Sequence, residues 1–406
     1  MSLLRWIVLL AFASVLAPHG DARAFDVVLN AQGEYLDAYL MNGSPSPPRV
    51  VFIDPDPPEP DNPAGPPPRV GRHVNGKLCF FPRGFGRGAR FVIADDTYRE
   101  ACVDRHPPQA RCSVTRRSSR LYVGTDADGW GVFKGSGRWA KRQIKVDGGL
   151  MEPQQQGTID PQGCAFDSKG NFIGVDVGHG ASSRPDGSIV MFFPGKRKKY
   201  DTYCFLDKAL AAPSMPVLDD AGNLYVPETA RLRVLKFSPP FPTSPADCAN
   251  PEKLVTTPPT KTVFLPPQTD VLTPSGIARV PGSDHFYIAS VLLVRPIINE
   301  YDATGTRVRT IVPAGVPRNP LGMDVGSDGT VYYAELNLDP VTFDTRCGFV
   351  SMVRFDGSGQ PQAPVTLGRH LRFPDGVTVA DSSRFNVEFA KLPPSPDIDP
   401  SRCGGE

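Results

Sequence analysis

Beyond its first residues the chain lacks long apolar runs and an excess of charge of either sign. No segment after residue 24 approaches the roughly 18 uninterrupted apolar residues that indicate a membrane span, so we expect none. The formal net charge is +1. Nucleic-acid binding draws on a strong positive field, so we expect no nucleic-acid partner. The one basic cluster, Lys196–Lys199, is interpreted as a solvated loop.

Motifs for several familiar chemistries are absent as well. No C-x-x-C pair occurs, so a zinc ribbon or a thioredoxin-type redox site has no support. The histidines show no H-x-x-x-H spacing, and there is no G-x-S-x-G nucleophile elbow. No long helical period runs through the sequence. Short runs rich in Tyr, Val, Ile and Phe alternate with Gly, Pro, Asp and Ser turns, which predicts an all-β fold.

The first 24 residues have the form of a secretory signal. Arg5 precedes an apolar stretch from Trp6 to Ala17, and Ala22-Arg23-Ala24 is an A-x-A-like cleavage site. The apolar stretch is too short to span a bilayer comfortably, so a retained membrane anchor is the weaker interpretation. We therefore expect a secreted or periplasmic protein, soluble and monomeric.

The chain contains 8 cysteines, all of them after the signal segment. An even number in an exported chain favours disulfides, although eight cysteines allow roughly a hundred complete pairings. We expect structural bridges without a redox role. Three pairs are the easiest to propose: Cys102 with Cys112 across a short polar loop, Cys204 with Cys248 closing a loop within one repeat, and Cys347 with Cys403 holding the tail.

Proline content divides the chain further. Residues 45–68 contain eleven prolines, and each proline removes a backbone donor, so the segment is predicted to be an extended loop or linker. We expect four regions: a signal peptide at 1–24, an N-terminal segment at 25–85, a repeat domain at 86–391 and an irregular tail at 392–406. The N-terminal segment is expected to supply outer strands that close the repeat domain.

A short phrase recurs along the repeat domain. Its clearest copy is Gly222-Asn223-Leu224-Tyr225-Val226-Pro227-Glu228, in which a turn and a small apolar strand end at an acidic residue. Three further copies end at Asp176, Ser290 and Glu335, and each of the four has a proline 15 or 16 residues upstream. The copies start roughly 45 to 60 residues apart, the spacing of propeller blades with variable loops. The sequence therefore predicts a β-propeller.

The copy from Asp219 to Phe237 resembles an NHL repeat, whose pattern runs turn, Gly-Asn, strand, acidic-Thr, two residues, Arg-Val and an apolar strand. Over residues 160–390 the chain resembles the broader set of six-bladed propellers that includes senescence-marker-protein/gluconolactonase-like enzymes. The resemblance implies six blades. Seven result if Phe91 and Leu121 belong to different blades. The ring is expected to close through N-terminal strands near 49–53 and 77–81, which would join the last copy at 373–379.

Polar residues that follow the strands are the candidate site. Aligning the copies places four of them at equivalent positions: Asp176, Glu228, Ser290 and Glu335. Asp95 and Asp126 follow two further apolar runs, at 91–94 and 121–124. If these residues converge on the channel mouth, their oxygens suit one calcium ion, which takes six to eight oxygen ligands. The alternative is that each acidic residue caps its own turn by accepting nearby backbone N–H groups. His179, three residues after Asp176, is the candidate catalytic base for a metal-bound water.

The resemblance to the lactonase branch is incomplete at the metal ligands. Ser275 stands where that branch has Asn, and Ser290 stands where it has Asp, while Asp375 is a further candidate ligand. Our first hypothesis is a binding or scaffold propeller that uses its loop face for a small molecule, peptide, glycan or protein. The alternative is a metal-dependent hydrolase of a lactone or ester, with His179 or a carboxylate as base.

Overall fold

The described part of the protein is built from short strands and contains no α-helix. The computed structural model describes residues 161–178, 185–194, 202–250, 253–267, 270–291, 295–326, 328–338 and 348–371, and outside these ranges only isolated strands. The described strands pair into six sheets of four strands each.

The first strands of the chain contribute to two of these sheets. They are β1 (Phe25–Leu29), β2 (Tyr35–Leu36), β3 (Cys79–Phe80), β4 (Arg90–Asp95), β5 (Gly129–Lys134) and β6 (Lys141–Asp147). Strands β3 to β6 form one antiparallel sheet in chain order.

Four further sheets, blades I to IV, are each an antiparallel meander of consecutive strands. Blade I has β7 (Pro161–Phe166), β8 (Phe172–Asp176), β9 (Gly187–Phe193) and β10 (Thr202–Leu210). Blade II has β11 (Val217–Leu218), β12 (Leu224–Glu228), β13 (Arg233–Ser238) and β14 (Thr260–Leu265). Blade III has β15 (Pro274–Arg279), β16 (Phe286–Ser290), β17 (Ile297–Tyr301) and β18 (Arg307–Val312). Blade IV has β19 (Pro320–Val325), β20 (Val331–Glu335), β21 (Gly348–Val353) and β22 (Val365–Leu371).

The sixth sheet combines both ends of the chain. Strands β23 (Pro374–Val379) and β24 (Phe389–Ala390) lie in it with β1 and β2, in the order β23-β1-β2-β24, and β1 runs parallel to β23. Cys79–Phe80, expected in this sheet, instead pairs with β4, because a strand pairs most readily with its neighbour in sequence. Residues 49–53 and 121–123 lie outside the described residues. The all-β propeller is confirmed, while the count of six blades stays a prediction.

Aspartates shape the turns within the blades. In the β7–β8 and β11–β12 turns, Asp167 and Asp219 accept the backbone N–H of Asn171 and Asn223 at 2.8 Å in both cases. In the β17–β18 and β21–β22 turns, Asp302 and Asp356 accept N–H groups two and four residues further on. The hydroxyls of Thr304 and Ser358 also donate to these carboxylates. These hydroxyl bonds, followed by the backbone N–H bonds, hold the pKa of the Asp302 and Asp356 carboxyls below its usual value.

Apolar side chains join neighbouring blades. Between blades II and III, the Tyr225 ring packs against Phe286 with centroids 4.3 Å apart and against Phe264 at 4.9 Å. The innermost strands approach even more closely, at glycines. A Cβ on Gly276 in β15 would overlap the carbonyl oxygen of Leu321 in β19. The glycine of the Pro-x-Gly sequence that begins β15 is therefore required for the close packing of the two strands.

Replacing Gly276 with alanine tests this close approach. We expect Gly276→Ala to lower the free energy of unfolding by about 1–3 kcal/mol, since two backbones must separate to admit the methyl group. Gly357→Ala is the control, because a Cβ there meets nothing within 4 Å. Urea unfolding of both variants measures the difference, and equal stabilities would contradict the packing described.

One disulfide in the described part of the chain crosses between blades. Cys204 and Cys248 are bonded, with Cα atoms 5.7 Å apart, so the predicted pair is correct. The prediction that it lies within one repeat is wrong: Cys204 lies in β10 of blade I, whereas Cys248 lies in the 239–259 connection of blade II. That connection adds a short parallel bridge to β10, in which Phe205 donates to the Lys253 carbonyl at 2.8 Å and Val255 donates to the Phe205 carbonyl at 3.0 Å.

Removing this bridge is expected to destabilise both blades. The disulfide spans 44 residues, so the Cys204→Ser/Cys248→Ser variant should lose about 3–4 kcal/mol of unfolding free energy by the chain-entropy estimate. Guanidinium unfolding of the oxidised protein and the variant measures the loss. An unchanged midpoint would show that the 239–259 connection is held without the covalent bond.

Candidate functional site

The four aligned polar residues occupy one structural position, the last residue of the second strand. Asp176, Glu228, Ser290 and Glu335 end β8, β12, β16 and β20. Each lies opposite the upstream proline of its own copy: Pro161, Pro213, Pro274 and Pro320. All four polar residues are buried. The regular spacing in the sequence therefore reflects a repeated backbone pairing.

In three blades this residue holds the chain segment that enters the blade. Glu228 accepts the backbone N–H of Ala211 at 2.9 Å, and Glu335 accepts that of Arg318 at 2.5 Å. Ser290 accepts the N–H of Thr273 at 3.3 Å, and in every case donor and acceptor are 17 residues apart. We name this bond the latch. The equivalent donor for Asp176 would be residue 159, which lies outside the described residues.

A second backbone bond completes each latch. The residue after the strand donates to the carbonyl of the entering segment: Thr229 to Ala212 at 3.0 Å, Val291 to Thr273 at 3.1 Å and Leu336 to Asn319 at 3.1 Å. Ala212 and Asn319 adopt positive φ angles of 49° and 60°. This left-handed conformation turns the N–H of one residue and the carbonyl of the next toward the same strand end.

The Glu228 carboxylate uses three of its roughly four acceptor sites within the protein. Besides the Ala211 N–H, its carboxylate accepts Arg231 Nη1 at 2.8 Å and Arg233 Nε at 2.6 Å, while its own side chain is fully buried. Arg233 lies directly opposite Glu228 in the β12–β13 pairing. Arg231 ends a single 3₁₀ turn after β12. The acidic-Thr and Arg-Val segment of the NHL-like phrase therefore forms a buried ion pair around the latch.

Glu335 makes the same latch with fewer charges around it. Its second oxygen accepts the Ser351 hydroxyl. The Arg318 guanidinium lies over the Phe349 ring, 4.1 Å from its centroid, and its charge acts on the carboxylate without a direct ion pair. Burial is the largest cause that raises the pKa of the Glu335 carboxyl, and the bonds from Ser351 and Arg318 only partly offset it.

Two more hydroxyls join consecutive blades near the latches. Thr229 donates to the Pro274 carbonyl at 2.8 Å, and Ser275 donates to the Pro320 carbonyl at 3.1 Å, each across 45 residues. The side-chain amide of Asn319 donates a further hydrogen bond to the Val291 carbonyl at 3.1 Å. Ser275, which was compared with a metal-ligand position, is thus occupied in blade-to-blade contact.

The remaining candidate residues are only partly described. Asp176 accepts the Gly178 N–H at 3.0 Å within its own turn. Asp95 ends β4, the second strand of its sheet, which is the position the other four share. The side chains of Asp95 and Asp375, and the whole of Asp126 and His179, lie outside the described residues. Their assignment as ligands or base stays a prediction.

The strand ends of blades I to IV meet in apolar contact. A single buried cluster contains Val177, Ala211, Ala212, Met215, Ala230, Val291, Leu321, Leu336 and Leu338. Within the described residues no group of three or more His, Cys, Asp or Glu side chains is placed to hold a metal ion. Glu228 has both oxygens bonded and Ser290 is bonded to Thr273, and a role for either in calcium binding stays a prediction.

Comparisons with known proteins give fold-level likeness only. A scan against protein-family models finds no match, and a search of the curated proteins finds none either. Solved structures similar to this chain include a nidogen/laminin complex (14% identity, 59% of this chain and 72% of that chain, TM-score 0.39). A luciferin-regenerating enzyme has 12% identity, covers 76% and 83%, and has a TM-score of 0.42. Regucalcin, a calcium-binding protein from Agrobacterium tumefaciens, has 12% identity, covers 50% and 61%, and has a TM-score of 0.36.

At such identities and TM-scores, no argument about the activity of this chain rests on these solved structures.

No helix in the described part of the chain has the length and apolarity needed to cross a bilayer.

Isosteric glutamine variants of Glu228 and Glu335 are expected to change the free energy of unfolding in different ways. Glu228→Gln leaves two partly exposed arginines around a buried neutral amide, so we expect a loss of roughly 2–3 kcal/mol of unfolding free energy at pH 7. Glu335 has a raised pKa, so the folded state retains a proton that the unfolded chain releases. Wild-type stability therefore falls as pH rises from the ordinary value of 4.5 through the raised pKa.

Glu335→Gln removes that titration, so its stability relative to wild type should increase with pH. Urea unfolding between about pH 4 and pH 8 measures both variants. A Glu228→Gln protein as stable as wild type, or a Glu335→Gln difference that is independent of pH, would contradict the assigned bonding.

Proposed function

We propose that the protein is an exported, six-bladed β-propeller that serves as a binding module through its loop face. The loop face comprises the described residues of the connections from second to third strands and from one blade to the next: 177–178, 185–186, 211–216, 229–232, 266–267, 270–273, 291, 295–296, 313–319 and 336–338. The described residues at the opposite ends of the blades form the turn face: 167–171, 194, 219–223, 239–250, 253–259, 280–285, 302–306, 326, 328–330 and 354–364. The six described sheets and the pairing of β1 with β23 support a closed ring over residues 86–391 with help from 25–85.

The observation that carries this proposal is the structural bonding of Glu228. This buried carboxylate accepts three bonds, from Ala211, Arg231 and Arg233, and both of its oxygens are engaged. The latch therefore supports the capping interpretation of the aligned acids over a convergent calcium site. What the latches fix is the starting geometry of the loops, as a binding scaffold requires.

Export fits the covalent chemistry. The Cys204–Cys248 bridge persists in an oxidising compartment, in agreement with the secretory form of residues 1–24. The alternative, a calcium-dependent lactone or ester hydrolase, needs ligands or a base from residues such as Asp126 and His179.

Two exposed positions distinguish the faces. Ala314 lies on the loop face and Ser168 on the turn face, and both are exposed. An array of neutral glycans, anionic glycans and peptides, probed with the mature protein, should retain a defined subset. We expect Ala314→Trp to weaken that binding by steric block and Ser168→Trp to leave it unchanged.

Calcium titration and lactone and ester assays on the same proteins test the alternative. We expect neither stoichiometric calcium binding nor turnover. Saturable calcium binding with hydrolysis, both lost in Glu335→Gln at unchanged fold, would overturn the proposal, as would array binding that only Ser168→Trp weakens.

A further inference from the structure

Arginines from three consecutive blades are presented on or beside the loop face. Arg231 and Arg233 belong to blade II, Arg295 to blade III and Arg318 to the segment that enters blade IV. Arg295 and Arg318 are exposed, and the side chains of Arg231 and Arg233 retain 36% and 25% of their accessible surface. We name these four residues the arginine set.

The blade II pair carries more positive than negative charge. Arg231 and Arg233 share one carboxylate, Glu228, and each uses a single nitrogen to reach it. A guanidinium offers five N–H donors in a rigid planar fork. Donors on both side chains therefore remain to meet an oxyanion from solvent, and one net positive charge remains with them.

Arg318 and Arg295 are also placed for an external partner. The Arg318 guanidinium stacks on the Phe349 ring at 4.1 Å, and the latch from Glu335 holds its backbone. Stacking engages the flat face of the guanidinium and leaves its N–H edge available for an in-plane oxyanion. Arg295 has no acidic partner among the residues that the structure describes.

Negative charge is distributed differently. The carboxylates described on the loop face are buried or half-buried: Asp176, Asp186, Glu228, Asp270 and Glu335. Exposed aspartates lie on the turn face: Asp220, Asp284, Asp328 and Asp356. Exposed cations occur on both faces, since Lys169 and Arg354 lie on the turn face, but the exposed carboxylates of the described residues lie only on the turn face. Among the described residues the loop face therefore presents exposed arginines without an exposed carboxylate, and such a surface attracts anionic ligands.

We propose that the loop face binds an anionic glycan through the arginine set, an inference that rests on the proposed binding function. Guanidinium forks match carboxylate and sulfate groups bidentately. Their distribution over three neighbouring blades suits an extended chain that carries separate oxyanions. The near-zero net charge lacks the general field that nucleic acid requires. Carboxylate and sulfate are the shared chemistry, and the experiment separates them.

The test measures binding of three defined probes to the mature protein by calorimetry: a heparin oligosaccharide for sulfate, an oligogalacturonate for carboxylate and a neutral dextran. The loop-face variant is Arg295→Gln/Arg318→Gln, which breaks no ion pair among the described residues. The matched control is Lys169→Gln/Arg354→Gln on the turn face, which removes the same charge from exposed positions.

We expect at least one polyanion to bind and dextran not to bind. The loop-face variant should weaken polyanion binding roughly 10- to 100-fold, because two charge-assisted contacts are lost, while the control stays within about twofold. Binding should also weaken between about 50 and 300 mM salt as screening increases. Thermal unfolding of both variants verifies that the fold is retained.

Absence of polyanion binding, equal effects of the two variants, or salt-independent affinity would each overturn the anionic-glycan inference. A neutral glycan or a peptide could instead bind in a way that Ala314→Trp weakens and Arg295→Gln/Arg318→Gln does not. That result would overturn the anionic-glycan inference and leave the loop-face binding function intact. The loop-face binding function and the anionic-glycan inference are both overturned if Ala314→Trp weakens the binding of no ligand.

Discussion

The bond on which the described blades depend is the latch, a buried polar side chain at the end of a second strand that accepts a backbone N–H from 17 residues earlier. Each blade begins where the chain crosses from an outer strand to an innermost one. The crossing segment has buried N–H and carbonyl groups that no strand can pair, and leaving one unpaired is costly. The latch and its partner bond satisfy both, and so fix the position of each innermost strand.

This constraint explains why polar residues recur at positions that resemble a metal site. A carboxylate reaches further than a hydroxyl, so Glu228 can bond Ala211 and two arginines together, whereas Ser290 bonds only Thr273 through its hydroxyl. Burial without a facing arginine leaves Glu335 with a raised pKa. The raised pKa of this carboxyl is therefore accounted for by its burial at a structural position. The loops that start from these positions, and the arginines they carry, are the better candidates for recognition.

Much of this fold could be predicted from the spacing of residues, because a period of strands and turns reports backbone geometry directly. The proline opposite Glu228 and the Cys204–Cys248 pair are examples. Whether the aligned carboxylates converge on the channel could not be predicted. The spacing of residues does not say whether a carboxylate points into the channel or back to its own backbone. The latch bonds do have a constant separation of 17 residues. This separation is not recognisable in the sequence, because the donors Ala211 and Arg318 contribute only a backbone N–H and any residue type can supply one. Arg231 and Arg233 were visible in the NHL-like phrase, yet their ion pair with Glu228 depends on register.

The most direct measurement of the latch is amide hydrogen exchange in the native protein. Ala211 and Arg318 lie in connections between strands, where an unbonded amide exchanges rapidly. If the latches hold as described, these two amides exchange as slowly as those inside β12 and β20, while the exposed amide of Ala314 in the same connection as Arg318 exchanges fast. Rapid exchange at Ala211 and Arg318, equal to that at Ala314, would contradict the latch and return Glu228 and Glu335 to consideration as ligand-binding groups.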